Sequence, residues 1–80
     1  MNIIETLIKN KADARTIDTI QKFLRACKGK PATYSCYNGF GEVKFFNYEN
    51  AQIEYEERKG VILIALTSDE ADLYYAIEKV

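Results

Sequence analysis

The sequence predicts an α+β domain: a four-stranded antiparallel β-meander with one or two N-terminal helices on one face and a C-terminal helix. Three observations predict it. Apolar residues recur at helical spacing before residue 28, polar and apolar residues alternate from residue 33, and three turn motifs divide the middle of the chain into strand-length segments. Tight turns join antiparallel strands, because parallel strands need long crossovers. A chain of 80 residues can bury one small core, so residues 1–80 are predicted to be a single domain.

The N-terminal third is predicted to be helical. Asn2 and Glu5 have the spacing of a capping box, which opens a helix. A break follows residue 10, and Asp13 is a second N-cap candidate. Gly29 and Pro31 are expected to end the second helix. The apolar stripe of that helix consists of Ile17, Ile20, Leu24 and Cys27, with Phe23 beside it.

The first hairpin is predicted from Asn38-Gly39, a dipeptide typical of type I′ turns, in which both central residues have positive φ. It would join strands at residues 33–37 and 40–46. This turn places Tyr37 opposite Phe40.

Two further turns are predicted along the chain. The first is Tyr48-Glu49-Asn50, with Asn50 in the left-handed conformation and Phe45 opposite Ile53. The second is a three-residue loop, Arg58-Lys59-Gly60, with glycine at its left-handed position.

An apolar strand and a helix are predicted to complete the domain. Residues 61–66 are all apolar, which is typical of a strand buried on both faces. Thr67-Ser68-Asp69-Glu70 then matches a second capping box. The predicted C-terminal helix has an apolar stripe of Leu73, Ala76, Ile77 and Val80.

These registers give the sheet two different faces. The entirely apolar or aromatic face, which is expected to contact the N-terminal helices, consists of Tyr34, Cys36, Val43, Phe45, Ile53, Tyr55, Val61, Leu63 and Ala65. The other face and the hairpin tip supply a predicted protein interface of Tyr37, Phe40, Phe46, Glu54, Glu56, Ile62, Ile64 and Leu66. In a four-stranded meander the strand at 61–66 lies at an edge, and an uncharged edge is normally covered or paired. Either the C-terminal helix covers it, or a partner strand pairs with it, supplied by a second copy in a homodimer or by a target protein.

Charge is unevenly distributed. Residues 1–40 carry seven basic and three acidic side chains, whereas residues 41–80 carry four basic and nine acidic ones. This asymmetry predicts attraction between the two halves, within one chain or between copies. The candidate nucleic-acid-binding residues lie opposite the apolar stripe of the second helix and are Lys11, Arg15, Lys22 and Arg25. The same pattern is also typical of a solvated helix face.

The sequence offers little catalytic chemistry. It has no His, which excludes Ser–His and Cys–His nucleophile pairs and histidine metal ligands. Cys27 and Cys36 are predicted to be buried core thiols, with a disulfide as the alternative. Glu54 and Glu56 are neighbours on one sheet face, but surface acids on a half-exposed strand are far commoner than a catalytic pair. We predict no enzymatic activity, no catalytic residue, no metal site and no cofactor.

Composition and size favour a binding role. The first ten residues have no basic segment followed by an apolar block, and no apolar run approaches the length of a membrane span, so a cytoplasmic protein without a membrane partner is expected. Six Tyr residues favour protein interfaces. The Pro-poor composition, rich in Ile, Lys, Asn, Glu and Tyr, is typical of small proteins of phages and mobile elements. We predict a protein-binding module, a stoichiometric inhibitor or regulator of an unidentified protein; the alternative is a small nucleic-acid-binding regulator.

Overall fold

The structure, a computed structural model, describes residues 2–80. Its elements are α1 (Ile3–Lys9), α2 (Ala14–Ala26), β1 (Ala32–Asn38), β2 (Gly41–Asn47), β3 (Ala51–Arg58), β4 (Val61–Ser68) and β5 (Asp72–Glu78). The strands form one antiparallel sheet in the order β1-β2-β3-β4-β5. The α+β class and the meander are confirmed, whereas the strand count of four and the C-terminal helix are wrong. Neither helix in residues 2–80 is long and apolar enough to cross a membrane.

Both predicted helix caps are present. The Oδ1 atom of Asn2 accepts a hydrogen bond from the N–H of Ile4 at 2.9 Å, and Oδ1 of Asp13 accepts one from Thr16 at 2.7 Å. The bonds from Thr16 hold the pKa of Asp13 below its ordinary value. Lys11, between the helices, has a φ of 56°. The break after residue 10 therefore separates two helices rather than bending one.

The core joins the two helices to one face of β3, β4 and β5. Its buried side chains are Ile3, Leu7, Ile20, Ile53, Tyr55, Ile62, Ile64, Leu66 and Ile77. Within β4, alternate residues are buried, as expected for a strand that has one face against helices. None of residues 32–38 belongs to this core, so β1 extends beyond the cover of the helices.

Residues 72–78 form a strand because Ser68, which lies inside the predicted Thr67–Glu70 capping box, closes a hairpin instead. Its Oγ accepts hydrogen bonds from the N–H groups of Glu70 and Ala71 at 3.3 Å, and its own N–H donates to the carbonyl of Ala71 at 3.1 Å. The sequence of β5 fits both a helical and a strand pattern. Strand pairing also satisfies the backbone edge of β4, which a helix could only cover. Alternate residues of β5 face the core, namely Leu73, Tyr75 and Ile77.

The first hairpin turns at Gly39-Phe40, one residue later than predicted. Asn38 is the last residue of β1, pairs with Gly41, and accepts a hydrogen bond from the N–H of Phe40 through its Oδ1 at 2.9 Å. The register of β1 on β2 is consequently shifted by two residues from the prediction. A shift of two leaves every side chain on its predicted side of the sheet.

The second and third hairpins each differ from the prediction by one residue. Ile53 pairs with Phe46 rather than with Phe45. The third turn has two residues, Lys59-Gly60, rather than three, and Gly60 has the predicted positive φ, 85°. Each one-residue shift exchanges the two faces of the strand that follows. The shifts reverse β3 and cancel at β4. The helices cover the opposite face of the sheet from the predicted one, so of the predicted inner face only Ile53 and Tyr55, which lie on the reversed strand, belong to the core.

Asn50 has a different role from the predicted one. Among residues 2–80, Lys11 is the one non-glycine residue with positive φ, so Asn50 is not left-handed. Its Oδ1 accepts a hydrogen bond from the N–H of Lys28 at 2.9 Å, and its Nδ2 donates to the carbonyl of Ala26 at 3.0 Å. These bonds attach the end of α2 to the β2–β3 turn and satisfy backbone groups that a helix end leaves free.

Tyr55 makes the fold sensitive to alkaline pH. Its side chain is 2% exposed, and burial, reinforced by the nearby Glu57 carboxylate, raises the pKa of Tyr55 to about 12. Between about pH 10 and pH 12 the unfolded chain loses this proton while the folded chain keeps it, so stability falls as pH rises, by up to about 1.4 kcal/mol per pH unit. We expect the urea unfolding of Tyr55→Phe to depend less on pH in this range than that of the wild type. Tyr37→Phe, at the exposed hairpin tip, is the control; equal slopes for Tyr55→Phe and wild type would contradict the assignment.

Candidate protein-binding surface

One face of the sheet carries no helix. We call it the open face; its residues alternate with the core residues along each strand. Five of its side chains lie side by side across all five strands, and we call them the central row: Tyr34, Phe45, Glu54, Ala65 and Tyr74. The next row consists of Cys36, Val43, Glu56, Leu63 and Ala76. These two rows are therefore largely apolar, with a carboxylate at the centre of each.

The central row exposes aromatic surface at both ends. Tyr34 stacks on Phe45 with ring centroids 4.8 Å apart and an interplanar angle of 12°. Tyr34 is 49% exposed and Tyr74, on the opposite edge strand, is 73% exposed. The stacked pair holds two large rings in a fixed orientation, which lowers the entropy that a binding partner must remove.

Glu56, in the second row, has its charge satisfied within the protein. Although it is only 6% exposed, it accepts hydrogen bonds from Nε and Nη2 of Arg58 at 2.7 and 3.2 Å, and from Nδ2 of Asn38 at 3.4 Å. The bonds from Arg58 lower the pKa of Glu56. The guanidinium of Arg58 also lies 4.9 Å from the centroid of the Phe40 ring. This cluster holds the β1–β2 tip against β3.

Glu54, in the central row, has a different environment. It forms no ion pair with any of residues 2–80 and is half-buried between Phe45 and Ala65 on the neighbouring strands. It also borders a shallow groove of about 380 Å³ that runs along β4 and β5 to Tyr74. A partly desolvated carboxylate flanked by apolar side chains is suited to a cationic group from another molecule.

The structure divides the predicted protein interface into three groups. Glu54 and Glu56 lie on the open face, while Tyr37 and Phe40 are 81% and 75% exposed at the β1–β2 hairpin tip. The remaining four face the helices and are buried or half-buried: Phe46, Ile62, Ile64 and Leu66. The hypothesis that the 61–66 strand offers a free edge is wrong, because β4 pairs with β3 on one side and β5 on the other. Sequence reasoning missed Tyr34, Phe45 and Tyr74 as surface residues.

The candidate nucleic-acid-binding residues lie in the helical layer, on the other side of the molecule from the open face. Lys11 is in the α1–α2 turn, and Arg15, Lys22 and Arg25 project from α2; all four are exposed. Nζ of Lys22 lies 3.1 Å from a carboxylate oxygen of Asp18, which offsets part of the positive charge.

The predicted attraction between the basic and acidic halves is not mediated by ion pairs within residues 2–80. The salt bridges there join Lys22 to Asp18, Arg58 to Glu56 and Lys79 to Glu57, each inside one half of the sequence. The asymmetry lies between the two layers, with the basic face of α2 on one side and the carboxylates of the open face on the other.

The two cysteines are not both core thiols as predicted. Cys27 is half-buried at the end of α2, where burial raises its pKa, whereas Cys36 is exposed on β1. Both are free thiols, so the alternative of a disulfide is also wrong. Within residues 2–80, no three His, Cys, Asp or Glu side chains are grouped so that they could hold a metal ion.

Comparison of this chain with known proteins gives no matching family model, no matching curated protein and no matching solved structure.

Proposed function

We propose that this chain is a small non-catalytic protein-binding module, a stoichiometric inhibitor or regulator, that binds its target through the open face. The observation that carries the proposal is the unpaired carboxylate of Glu54 at the middle of a row with exposed aromatic residues at both ends. Interfaces are enriched in aromatic residues, and a few central side chains dominate their binding energy. The central row combines these properties.

The chemistry of the open face indicates the kind of partner. A Lys or Arg opposite Glu54 would gain a charge-assisted hydrogen bond in a partly desolvated place. Apolar side chains around that cation would cover Tyr34, Phe45 and Tyr74 and exclude water from the ion pair. The expected partner surface is thus a basic residue surrounded by aliphatic or aromatic ones.

The arrangement of the two neighbouring glutamates favours binding over catalysis. Acid–base work by paired carboxylates needs two groups that can exchange protons with a substrate. Glu56 is occupied by Arg58 through two hydrogen bonds, which leaves Glu54 as the free carboxylate of the pair.

Selection from a displayed library of random peptides tests this proposal without knowledge of the natural target. We expect the wild-type protein to enrich peptides with Lys or Arg next to aromatic or aliphatic residues. The variant Glu70→Lys, in the exposed β4–β5 turn, should select the same peptides, because it changes the net charge but lies outside the central row. Enrichment of acidic peptides, or none over an unrelated protein, would contradict the proposal.

The nucleic-acid alternative makes a different prediction. A phosphate-binding helix face would give DNA or RNA binding that weakens steeply with salt and is lost in the double variant Lys22→Glu/Arg25→Glu. That result would show that the functional surface is the helical layer and not the open face.

A further inference from the structure

The edge strand β1 is unprotected. All seven of its residues are exposed, and none of residues 32–38 is charged or proline. An exposed sheet edge presents unpaired N–H and C=O groups, and natural proteins protect such edges with charges, proline, bulges or a covering segment. β1 contains no charged residue and no proline, and the helices do not cover it.

The opposite edge strand, β5, has charged residues that protect its edge. It carries two charged residues within the strand, Asp72 and Glu78. The backbone N–H of Val80 donates to Oδ1 of Asn10 at 3.1 Å, which ties the end of the chain to the α1–α2 turn. The two edges thus differ in charge, and β1, which carries none, is the better suited to further pairing.

We infer that β1 pairs antiparallel with β1 of a second copy, which forms a homodimer with one continuous ten-stranded sheet. Such pairing across an edge requires a twofold axis perpendicular to the sheet, so both helical layers lie on one side and both open faces on the other. Paired residues must then point to the same face, and the register that pairs all seven residues places Ser35 on the axis. A pairing of this length adds about six to eight main-chain hydrogen bonds.

The side chains of β1 are compatible with this register. Tyr34 lies opposite Cys36 of the second copy on the open face, and Thr33 lies opposite Tyr37 on the other face. An aromatic ring therefore meets a small or β-branched side chain in each pair, an arrangement that stabilises antiparallel sheets.

Charge favours a second copy over a foreign strand as the occupant. β1 carries no charge that would select an unlike partner, and self-pairing brings no like charges together on it. Lys44, which pairs with Ser35 from β2, would lie about 14 Å from Lys44 of the second copy across three strand spacings, so this pair is screened at physiological salt. An 80-residue chain has a marginal core, for which association is a usual remedy.

In this dimer the two central rows lie on the same surface of the ten-stranded sheet. The dimer contact is at β1, so it leaves Glu54 on β3 free to bind a partner. The inference does not depend on the proposed function, because it can be tested with the isolated protein. A failure to dimerise would leave peptide binding at the open face unaffected.

Sedimentation equilibrium of the reduced protein from micromolar to millimolar concentration tests the dimer. We expect a reversible monomer–dimer equilibrium for the wild type and loss of the dimer in Ser35→Lys, which places two ammonium groups next to each other at the axis. The control Ala76→Lys adds the same charge to the exposed β5 edge and should still dimerise. A wild type that stays monomeric throughout, or a Ser35→Lys variant that still dimerises, would overturn the inference.

Amide hydrogen exchange at two concentrations locates the contact. Protection that rises with concentration within residues 32–38, and not within 72–78, is the expected result. Concentration-dependent protection confined to β5 or the helices would show a different interface and also overturn the inference. Because Ser35 is exposed, Ser35→Lys should keep the wild-type circular dichroism spectrum, so loss of the dimer cannot be mistaken for unfolding.

Discussion

Glu54→Lys is expected to weaken the binding of peptides selected by the wild type by about 100-fold or more, roughly 2.7 kcal/mol. The substitution replaces the free carboxylate of the central row by a cation, which would then face the basic residue of the peptide across a partly desolvated contact. Titration calorimetry with one selected peptide measures the change. Glu54 is half-buried on the face without helices and takes part in no ion pair within residues 2–80, so the fold should tolerate the change.

The control for this experiment is Glu70→Lys, which should bind within about twofold of the wild type at moderate salt, since an exposed charge away from the contact is largely screened. An equal loss of affinity in both variants would indicate a response to net charge. It would show that Glu54 is not a central contact of the binding surface.

Ile64→Lys is expected to abolish the folded state. Ile64 is 2% exposed and lies in the middle of β4, with β3 and β5 on either side and the helices above it. A lysine there would bury an ammonium group without a partner, which costs more than about 4 kcal/mol and consumes most of the stability of a small domain. Circular dichroism and urea unfolding should show no cooperative transition.

Ile8→Lys is the matched control because Ile8 is an apolar residue 59% exposed on α1. It should unfold with nearly the wild-type midpoint. A folded Ile64→Lys variant with a wild-type transition would show that Ile62, Ile64 and Leu66 lie on a surface, and would reverse the assignment of the two sheet faces.

The helices could be predicted from the sequence because their signals are local. Asn2 and Asp13 cap helices through hydrogen bonds to residues two or three positions away, and the apolar stripe of α2 places Ile20 in the core as its spacing indicates. No distant part of the chain is needed to make either choice.

The sheet faces could not be predicted because they depend on the count of residues in each turn. A shift of one residue at Glu49-Asn50 reversed β3, and with it the side chain of Glu54 relative to Phe45; a second shift at Lys59-Gly60 restored the orientation of β4. Both sides of β4 are apolar, so its own sequence gives no indication of which side the helices cover.

The C-terminal strand illustrates how tertiary pairing decides between two local patterns. Residues 72–78 have apolar residues at both helical and alternate spacing, and the alternation of Leu73, Tyr75 and Ile77 was the indication of a strand. Pairing with β4 selects the strand. It also brings Tyr74 to the open face, which is why the aromatic end of the central row was missed.

The most direct measurement of the binding surface is a heteronuclear NMR titration of the nitrogen-15-labelled protein with one selected peptide. If the open face binds, the largest amide shifts fall in the central row and its neighbours on β3 to β5, around Glu54, Ala65 and Tyr74. Shifts confined to α2, around Arg15, Lys22 and Arg25, with the central row unchanged, would contradict the account.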